Sequence, residues 1–589
     1  MHNPLEYYKE HSETYKAKAK ACYKLMTSLS LLRLLVFVLT GFGVYLTFDA
    51  WQLAVAIALL GTVVFVKLLS RYTDIKHNKA FNDALTEINS DEIKIASGDF
   101  YDREKGLQFQ DPAHFYSLDI DLFGRGSFFQ FVNRTNIKEG AETLASMLKA
   151  NNIEDITARQ KAIKELSEKP KWRQYYGATS SLVDVETPAR EIIDWLRKYQ
   201  TFLSNIMRWL PLAFIVATII ILGLTLANVI EATFLMYWLF VGLAITGPYV
   251  KKINILSLQT DKLKDTFRQY AQLLKLIEEE TFTSEFLRKK QSQIKSESKE
   301  ASAIFKALSR ALDALDNRNN IIGAIFGNGY FLTDIRNSYR IEKWIESYGD
   351  KVEDWFEVVS FFDAYNSLGN YAYNHPGFIY PEISEKDNVI KAKGLGHPLL
   401  DKTKRVDSDL LIENEQFFIV TGANMAGKST FLRTVSLHIV MANMGLPICA
   451  KHSQYSPVKL ITSMRTTDSL TDDSSYFFSE LKRLKFIVDT IAKEPYFIIL
   501  DEILKGTNST DKAIGSKKFV EKLVASNATG VIATHDLSLC EIEEQLEAVK
   551  NYYFDAEIIN NELHFDYKLK KGICQNMNAS FLLKKMEIV

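Results

Sequence analysis

Four apolar runs constrain what this chain can fold into more than any other feature of its sequence. They occupy residues 31–48, 51–69, 209–227 and 233–250. Each is close to the length of about 20 residues that a helix needs to cross a bilayer. A buried helix of a soluble protein would keep a polar stripe, whereas the two charged residues here, Arg33 and Lys67, lie near the ends of their runs. The pattern favours four transmembrane helices, arranged as two hairpins, over buried core helices.

Basic residues flank the outer ends of these runs, and the short turn inside each pair holds only an acidic one, Asp49 or Glu231. The basic flanking residues are Lys16, Lys18, Lys20, Lys24, Lys67, Arg71, Lys76, Arg208, Lys251 and Lys252. Because Lys and Arg are retained on the cytoplasmic side of a membrane, both turns are expected outside. We therefore expect a multi-pass protein of the bacterial cytoplasmic (inner) membrane, with the lipid bilayer as a partner and the remaining chain in the cytoplasm.

Cysteine use and net charge limit the classes of protein to which this chain can belong. Cys22, Cys449, Cys540 and Cys574 are isolated, so they indicate neither a disulfide framework nor a C-x-x-C metal site. This agrees with a reducing compartment. A formal net charge of -1 gives no overall nucleic-acid signature.

The segment "FFIVTGANMAGKSTFLRTV" at 417–435 predicts a strand, a glycine loop and the start of a helix. Its loop fills the template G-x-x-x-x-G-K-[ST], in which backbone N–H groups and the helix N-terminus hold a polyphosphate. Lys428 is expected to reach the β and γ phosphates, and Ser429 to hold Mg²⁺. The predicted ATP-binding residues are Gly422, Ala423, Asn424, Met425, Ala426, Gly427, Lys428, Ser429 and Thr430. This template recurs by chance in roughly a few per cent of long chains. The surrounding sequence must therefore decide whether the match is a phosphate-binding loop.

Two further strand ends supply that context. The segment "YFIILDEILKGTNSTD" predicts a strand that ends in Asp501 and Glu502, and "GVIATHD" predicts another that ends in His535. Asp501 is expected to hold Mg²⁺ together with Ser429, and Glu502 to act as the general base for the attacking water. His535 is expected to position the γ-phosphate, so that the predicted catalytic residues are Glu502, His535 and Lys428. Three such elements in this order indicate a P-loop ATPase that uses ATP and Mg²⁺.

With these segments in place, the chain resembles the ATPase domain of the MutS proteins, a branch of the ABC-type ATPases. "TGANMAGKSTFLR" resembles the phosphate loop of that family, "SSYFFSEL" its signature segment, and "DEILKGTN" and "ATHD" its Walker B and histidine segments. Residues 567–586 and 394–400 resemble its C-terminal segment and the entry to its ATPase domain. The segment at 118–148 resembles the start of its helical core, so the likeness covers roughly 115–209 and 318–589.

The resemblance implies a homodimer with two composite ATP sites, because the signature serine of the family contacts the γ-phosphate bound by the partner subunit. This role carries over to Ser475, in trans. Two departures stand out. Asp473 occupies a position where the family usually has glycine, and nothing before residue 115 resembles the family's N-terminal mismatch-reading domain.

The expected fold is therefore multidomain, with a C-terminal α/β P-loop (ABC-type) ATPase domain, an all-α lever core and the four transmembrane helices. Amphipathic spacing from Leu258 to Ile277 predicts a long helix that continues to about residue 315, and the pattern from Ile341 to Val359 predicts a second. The predicted units are 1–30, a cytoplasmic N-terminal helix; 31–69, the first hairpin; 70–208, the first part of the core; 209–250, the second hairpin; 251–385, the lever helices; and 386–589, the ATPase domain.

What the ATP cycle drives has two candidate answers. One is structure-selective DNA binding or processing at the membrane; the other is an ATP-driven membrane switch or transport-related machine without DNA. The best candidate for a phosphate-binding surface is the basic cluster Arg288, Lys289, Lys290, Lys295 and Lys299, although interspersed acidic residues are more typical of a solvated helix face. Asp119 and Asp121 lack a third metal ligand nearby and are interpreted as part of the core-domain entry.

Overall fold

The computed structural model describes residues 3–183, 187–295, 300–316, 318, 321–384, 388–423, 425–465, 476–559 and 562–575. As far as residue 374, the secondary structure elements of the described chain are helices joined by loops. After it, strands alternate with helices. This confirms the expected division into a helix-rich part and a C-terminal α/β domain.

The helical part contains sixteen α-helices among the described residues. They are α1 (Pro4–Leu46), α2 (Trp51–Ala96), α3 (Phe128–Val132), α4 (Lys138–Lys149), α5 (Ile156–Ser167), α6 (Pro170–Ser181), α7 (Ala189–Lys198), α8 (Leu210–Leu226), α9 (Thr233–Thr246), α10 (Val250–Asp261), α11 (Lys264–Glu279), α12 (Glu285–Ser292), α13 (Ala301–Asp316), α14 (Ile321–Phe331), α15 (Thr333–Tyr348) and α16 (Val352–Asn374).

Helices α1 and α2 pack along each other as a hairpin. The approach is close where Gly61 faces Thr40, since a Cβ at position 61 would lie 2.1 Å from Thr40 Oγ1. Large apolar side chains on the outside of the hairpin are exposed, including Phe37 at 68% and Val63 at 65%. By length and composition, both helices are able to cross a membrane. A continuous apolar surface of this kind is rare on soluble monomers.

The polar ends of this hairpin are anchored in the helical core. Tyr8 of α1 donates a hydrogen bond to Asn374 Oδ1 of α16 at 2.7 Å. Glu92 of α2 is buried and pairs with Arg134, whose charge contributes to lowering the pKa of that carboxyl against the opposing effect of burial. The apolar half of the hairpin therefore extends from polar helix ends that are packed into the helical core.

The second apolar pair is shorter than the first. Helix α8 has 17 residues, and only the continuous helical stretch Thr233–Asp261, which joins α9 to α10, reaches the length of a membrane span. A third apolar helix, α14, packs against both α8 and α9. The sequence pattern predicted a two-helix hairpin here, whereas the structure has a cluster of three apolar helices.

The predicted lever helices are interrupted. The prediction of a single helix from residue 258 to about 315 is wrong. The chain turns after α11 and continues through α12 and α13, and α13 packs back on α11. Both carboxylate oxygens of Glu165 accept hydrogen bonds, from Thr283 N and Ser284 N at 2.7 Å each, and the Ser284 side chain caps α12. The second pattern is also divided, by a short 3-10 turn at Gly349–Lys351 between α15 and α16.

The α/β domain is built on a six-stranded sheet. Its elements, including smaller sheets at its edge, are β1 (Glu382–Ile383), β2 (Asn388–Leu395), β3 (Ser408–Glu413), β4 (Phe417–Gly422), α17 (Lys428–Met444), β5 (His452–Tyr455), β6 (Lys459–Ser463), α18 (Tyr476–Ile491), β7 (Tyr496–Asp501), α19 (Ser509–Ala525), β8 (Thr529–Ala533), α20 (Ile542–Gln545), β9 (Val549–Phe554), β10 (Ala556–Ile559), β11 (Glu562–Phe565) and β12 (Lys570–Lys571).

The main sheet has the strand order β12-β9-β4-β8-β7-β6, and all pairs in it are parallel except β12 with β9. Every residue of β4 is buried, as expected for the central strand of a parallel sheet covered on both faces. A second sheet has the order β1-β5-β2-β3, and β10 pairs with β11. The carboxyl ends of β4, β8 and β7 therefore lie side by side.

Asp119 and Asp121 join the helical core to the α/β domain. Asp119 accepts hydrogen bonds from Thr462 Oγ1 at 2.5 Å and Arg465 N at 2.9 Å. Asp121 forms ion pairs with Arg433 of α17 at 3.2 Å and Arg465 at 2.7 Å. Both carboxylates are thus engaged by donors from the α/β domain.

Candidate nucleotide-binding site

The glycine loop lies at the carboxyl edge of the six-stranded sheet. Strand β4 ends at Gly422, the adjacent strand β8 ends at Ala533, and the next strand, β7, ends at Asp501. Because the ends of adjacent parallel strands meet at one edge, residues that are far apart in sequence converge beside the start of α17. The hydrophobic strands position the site, and the polar residues that follow them supply its chemistry.

A cavity of about 670 Å³ opens at this edge, within the range typical of small-molecule sites. Its polar lining includes Lys428, Ser429, Asp501, Glu502 and His535. The other lining residues are Leu395, His397, Leu400, Lys404, Arg405, Val406, Ser408, Ala423, Met425, Gly427, Thr430, Phe431, Thr434, Lys505, Phe554 and Tyr567. The structure thus brings together all five residues that the sequence analysis placed at the phosphate end of the site.

The loop backbone has the conformation that its glycines permit. Gly422 and Gly427 have φ values of 152° and 107°, a region that residues with a Cβ rarely adopt. A Cβ at Gly422 would also lie 2.7 Å from Phe554 O of β9. Met425 has φ 66° and is 78% exposed, so it points away from the domain core. Asn424 lies outside the described residues.

Lys428 folds back over the loop. Its Nζ donates hydrogen bonds to Gly422 O at 2.8 Å and Ala423 O at 3.0 Å, and it lies 3.2 Å from His535 Nε2. Burial lowers the pKa of Lys428, whereas the nearby charges of Asp501 and Glu502 act to raise it. The ammonium group is therefore already held above the loop, where a phosphate would exchange these neutral carbonyl partners for charged oxygens.

Ser429 and Asp501 form a direct contact across the site. The Ser429 hydroxyl donates to Asp501 Oδ2 at 2.8 Å. Among the described residues, no group of three or more His, Cys, Asp and Glu side chains could hold a metal ion. A hydroxyl and one carboxylate nevertheless suit Mg²⁺, which commonly binds one or two protein oxygens and completes its shell with water and substrate phosphates. The oxygen donors present therefore fit Mg²⁺.

Glu502 is held in a left-handed backbone conformation, with φ 49°. Its N–H donates to Ala533 O at 2.9 Å, and its Oε1 lies 3.7 Å from His535 Nε2. Non-glycine residues in this conformation are uncommon and concentrate at functional sites. Burial and the Lys428 charge lower the pKa of His535, with Glu502 opposing them. At neutral pH His535 is therefore a neutral imidazole between a carboxylate and an ammonium.

Glu480 supports the loop that carries Glu502, a role that the sequence analysis did not assign. Its two carboxylate oxygens accept hydrogen bonds from Leu504 N at 2.6 Å and Lys505 N at 3.0 Å. The side chain is buried, and desolvation raises its pKa. Its place in "SSYFFSEL" was the available signal, because this acidic residue lies in the segment that resembles the family signature. Ser475 of the same segment and Asp473 just before it lie outside the described residues.

The segment "GLGHPLL" at 394–400 forms another wall of the cavity. Leu395 and His397 line it together with Val406 and Phe554. Burial and the charges of Arg433 and Arg405 lower the pKa of His397 to about 4, so its ring is neutral at pH 7. Sequence reasoning linked this segment to the domain entry but not to the cavity, because the contact depends on how β2 and β3 fold over the glycine loop.

Comparison with known proteins agrees with this geometry. Residues 418–585 match MutS domain V. The MutS-like domain holds both the glycine loop and the Asp501–Glu502 pair. Related proteins include "MutS protein homolog 4" of Homo sapiens, 31% identical over 36% of this chain and 23% of its own length. "DNA mismatch repair protein MutS" of Clostridium botulinum strain Hall is 30% identical over 39% of this chain and 26% of its own length.

A third relative is "DNA mismatch repair protein MutS" of Methanococcoides burtonii, 31% identical over 39% of this chain and 26% of its own length. The chain therefore spans about a quarter of the length of these curated relatives. The similarity supports the MutS family for the C-terminal domain, and with it the expected MutS-type ATP-binding domain.

Proposed function

We propose that this chain is a membrane-embedded ATPase of MutS type that hydrolyses ATP at the cavity beside the glycine loop. The observation that carries the proposal is the convergence of Lys428, the Ser429–Asp501 pair and the Glu502–His535 pair at one sheet edge. These groups come from three separate strand ends. Together they provide a cation for phosphates, oxygens for a metal and a base for water.

In the proposed reaction, Lys428 turns from its carbonyl partners to the β and γ phosphates. Glu502 accepts a proton from the water that attacks the γ-phosphorus, and the bond to the ADP leaving oxygen breaks. Once Lys428 has turned away, His535 Nε2, which lies near Glu502, is available to donate a hydrogen bond to the γ-phosphate or the water. Mg²⁺ bound at Ser429 and Asp501 would neutralise charge on the phosphate oxygens.

The proposed catalytic unit is a homodimer. The likeness of residues 474–481 to the MutS signature segment supports a second contact to the nucleotide, from Ser475 of the partner subunit. A mixture of a Ser475 variant and a Lys428 variant contains heterodimers with one intact composite site, and these should regain part of the activity. A Ser475→Arg homodimer with full activity would exclude this arrangement.

The proposed location is a multi-pass position in the bacterial inner membrane, with the ATPase domain in the cytoplasm. The exposed apolar surface of α1 and α2 supports it, since large apolar side chains such as Phe37 and Val63 are exposed along both helices. The basic residues at the polar ends of the helices support the orientation.

We propose structure-selective DNA binding as the use of the ATP cycle, because two of the compared relatives are named as DNA mismatch repair proteins. Arg288 and Lys289 on α12, with Lys295 just after it, are the exposed cations of the basic cluster that would contact phosphates, and Lys299 lies outside the described residues. Lys290 is less suitable, because it pairs with Glu357 at 2.6 Å and lies over the Phe361 ring. The alternative is a membrane switch without DNA, which the intrusion of α8 and α9 into the lever region favours.

Binding of branched, single-stranded and duplex DNA to the nanodisc-reconstituted full chain tests the choice, in the absence of nucleotide and with ATP or ADP. Binding should fall steeply with salt, and Arg288→Glu with Lys289→Glu should reduce both affinity and salt slope. Lys493→Glu, an exposed change in the ATPase domain, is the matched control. If the chain hydrolyses ATP but binds none of these DNAs in any nucleotide state, the membrane-switch function replaces the DNA function.

A further inference from the structure

Helix α14 is an apolar helix that packs on α8 and α9 and has one face that no other described element covers. Its sequence from Ile321 to Phe331 has no charged residue. Ile321, Ile322 and Phe326 are 74%, 69% and 52% exposed. A short apolar helix of this kind is usually part of a buried core or a re-entrant membrane segment, and this degree of exposure excludes the buried core.

Helix α14 crosses α9 with the two backbones in contact. A Cβ placed on Gly242 would lie 2.2 Å from Gly329 O, and one on Gly329 would lie 2.6 Å from Leu239 Cγ. Small residues that allow this approach are typical of helix pairs in membranes. The crossing has room for no side chain at either glycine.

Hydrogen bonds between side chain and backbone tie α14 to α8 as well. Trp238 Nε1 of α9 donates to Thr218 Oγ1 of α8 at 2.8 Å, and the Thr218 hydroxyl lies 2.8 Å from Tyr330 O of α14. The Tyr330 hydroxyl donates to Leu235 O at 3.2 Å. All of these groups are satisfied inside the three-helix cluster, as an apolar solvent requires.

Helices α8 and α9, on which α14 packs, carry exposed apolar side chains as well. Ile219 on α8 is 60% exposed and Phe240 on α9 is 58% exposed, so the three helices share one kind of environment. With 11 residues, α14 is about 16 Å long, roughly half the thickness of the hydrocarbon core. A helix that lies flat at the interface would have one strongly polar face, and α14 has none.

The base of α14 is fixed to the lever helices. Asn328 Oδ1 accepts a hydrogen bond from Asp334 N at the start of α15, at 2.9 Å. Asp334 also pairs with Arg318 at 3.2 Å, and both side chains are largely buried. Helices α13 and α15 pack together, so α14 lies at the tip of the pair. Beyond α15, the chain continues through α16 into the ATPase domain.

We propose that α14 is a half-inserted membrane helix, with Ile322 and Phe326 against lipid acyl chains, that anchors the tip of the lever pair α13–α15 in the bilayer. This inference rests on the proposed membrane location of α8 and α9. It adds a second kind of membrane contact to the chain, one that belongs to the lever rather than to a spanning helix.

Site-directed spin labelling tests the inference in the nanodisc-reconstituted full chain with Cys22→Ser. Labels at Ile322→Cys and Phe326→Cys are compared with Ile219→Cys on α8 and with Leu411→Cys, which is 47% exposed on β3. The measurement is collision with oxygen, which concentrates in lipid, against a water-soluble nickel chelate. We expect the oxygen-to-nickel ratio at 322 and 326 to match that at 219 and to exceed that at 411 several-fold.

The alternative results are distinct. A water-like ratio at 322 and 326 with a lipid-like ratio at 219 would overturn the inference and leave the membrane proposal standing. Low collision with both reagents at 322 and 326 would place a protein surface there, such as a second copy, and would also overturn it. A water-like ratio at all three positions would refute the membrane proposal itself.

A second variant tests the crossing. Gly242→Val should push α14 away from α9 and change the ratio at 326, because no space exists for the side chain. Gly223→Val on α8 is the matched control, since a Cβ there meets nothing within 4 Å. An unchanged ratio at 326 in Gly242→Val would contradict the contact on which the inference depends.

Discussion

The Ser429 hydroxyl donates a 2.8 Å hydrogen bond to Asp501 Oδ2 and so joins the start of α17 to the end of β7. If these oxygens share Mg²⁺, removal of either should weaken the metal site without unfolding the domain. We expect Ser429→Ala and Asp501→Asn each to raise the Mg²⁺ concentration for half-maximal ATP hydrolysis by at least about tenfold, equal to about 1.4 kcal/mol. Ser509→Ala, at the start of α19, is a serine control. Unchanged Mg²⁺ dependence in both variants would refute this metal site.

Glu480 should act as a positioning residue for Glu502, because it holds Leu504 N and Lys505 N on the same loop. Glu480→Ala should lower kcat by roughly ten- to a hundredfold, the scale of a small misplacement at an active site, with little change in KM for ATP. Glu480→Gln keeps one acceptor oxygen and should fall between Ala and wild type. A wild-type kcat in the correctly folded alanine variant would contradict this role.

His438 of α17 gives the α/β domain a pH-dependent stability. It is 2% exposed, and neither ring nitrogen has a hydrogen-bond partner among the described residues. Burial lowers its pKa to about 4, so between about pH 6.5 and 4 the unfolded chain binds a proton that the folded chain excludes. Stability is therefore lost as pH falls through this window, by roughly 2 kcal/mol at pH 5 from this residue.

His438→Phe should remove that loss. We expect the difference between the midpoints of thermal unfolding at pH 7.5 and pH 5 to be smaller in His438→Phe than in the wild-type chain. His564→Phe, at an exposed position on β11, is the matched control and should leave the difference unchanged. The assignment fails if His438→Phe folds and keeps the wild-type difference.

Membrane topology provides a prediction in intact cells. In a chain with Cys22→Ser, Asp49→Cys and Glu231→Cys should react with an impermeant thiol reagent added outside, because both turns are proposed to face outward. Asp102→Cys and Lys402→Cys, both at exposed positions, should react only after lysis. Labelling at 402 from outside would reverse the proposed orientation.

The sequence predicted those parts of the site that depend on local pattern. Strand β4 and the glycine loop follow from an apolar β-branched run before a fixed spacing of glycines, and Asp501 follows from a similar run. Glu480 and His397 were missed as site residues, because each depends on contacts between separate segments: Glu480 with the loop at Leu504 and Lys505, and His397 with the far wall of the cavity.

In the helical part, too, local patterns were predictable and contacts between distant segments were not. The apolar character of α1 and α2 was evident because each run has the length of a bilayer span. Helix α14 was not found, since an uncharged run of 11 residues matches neither a span nor an amphipathic period, and its place depends on the fit of Gly329 against Gly242. The turn after α11 is held by hydrogen bonds from Thr283 N and Ser284 N to Glu165, which lies more than a hundred residues earlier in the chain.

ATP turnover by Glu502→Gln tests the central claim most directly. The variant keeps the size of the side chain and one acceptor oxygen but loses its basicity, so ATP binding should persist while kcat falls by at least about a hundredfold, the scale of a general base. Glu544→Gln, an exposed change on α20, should hydrolyse ATP at the wild-type rate, and Lys428→Ala should lose ATP binding as well. Hydrolysis by Glu502→Gln at the wild-type rate would contradict the account.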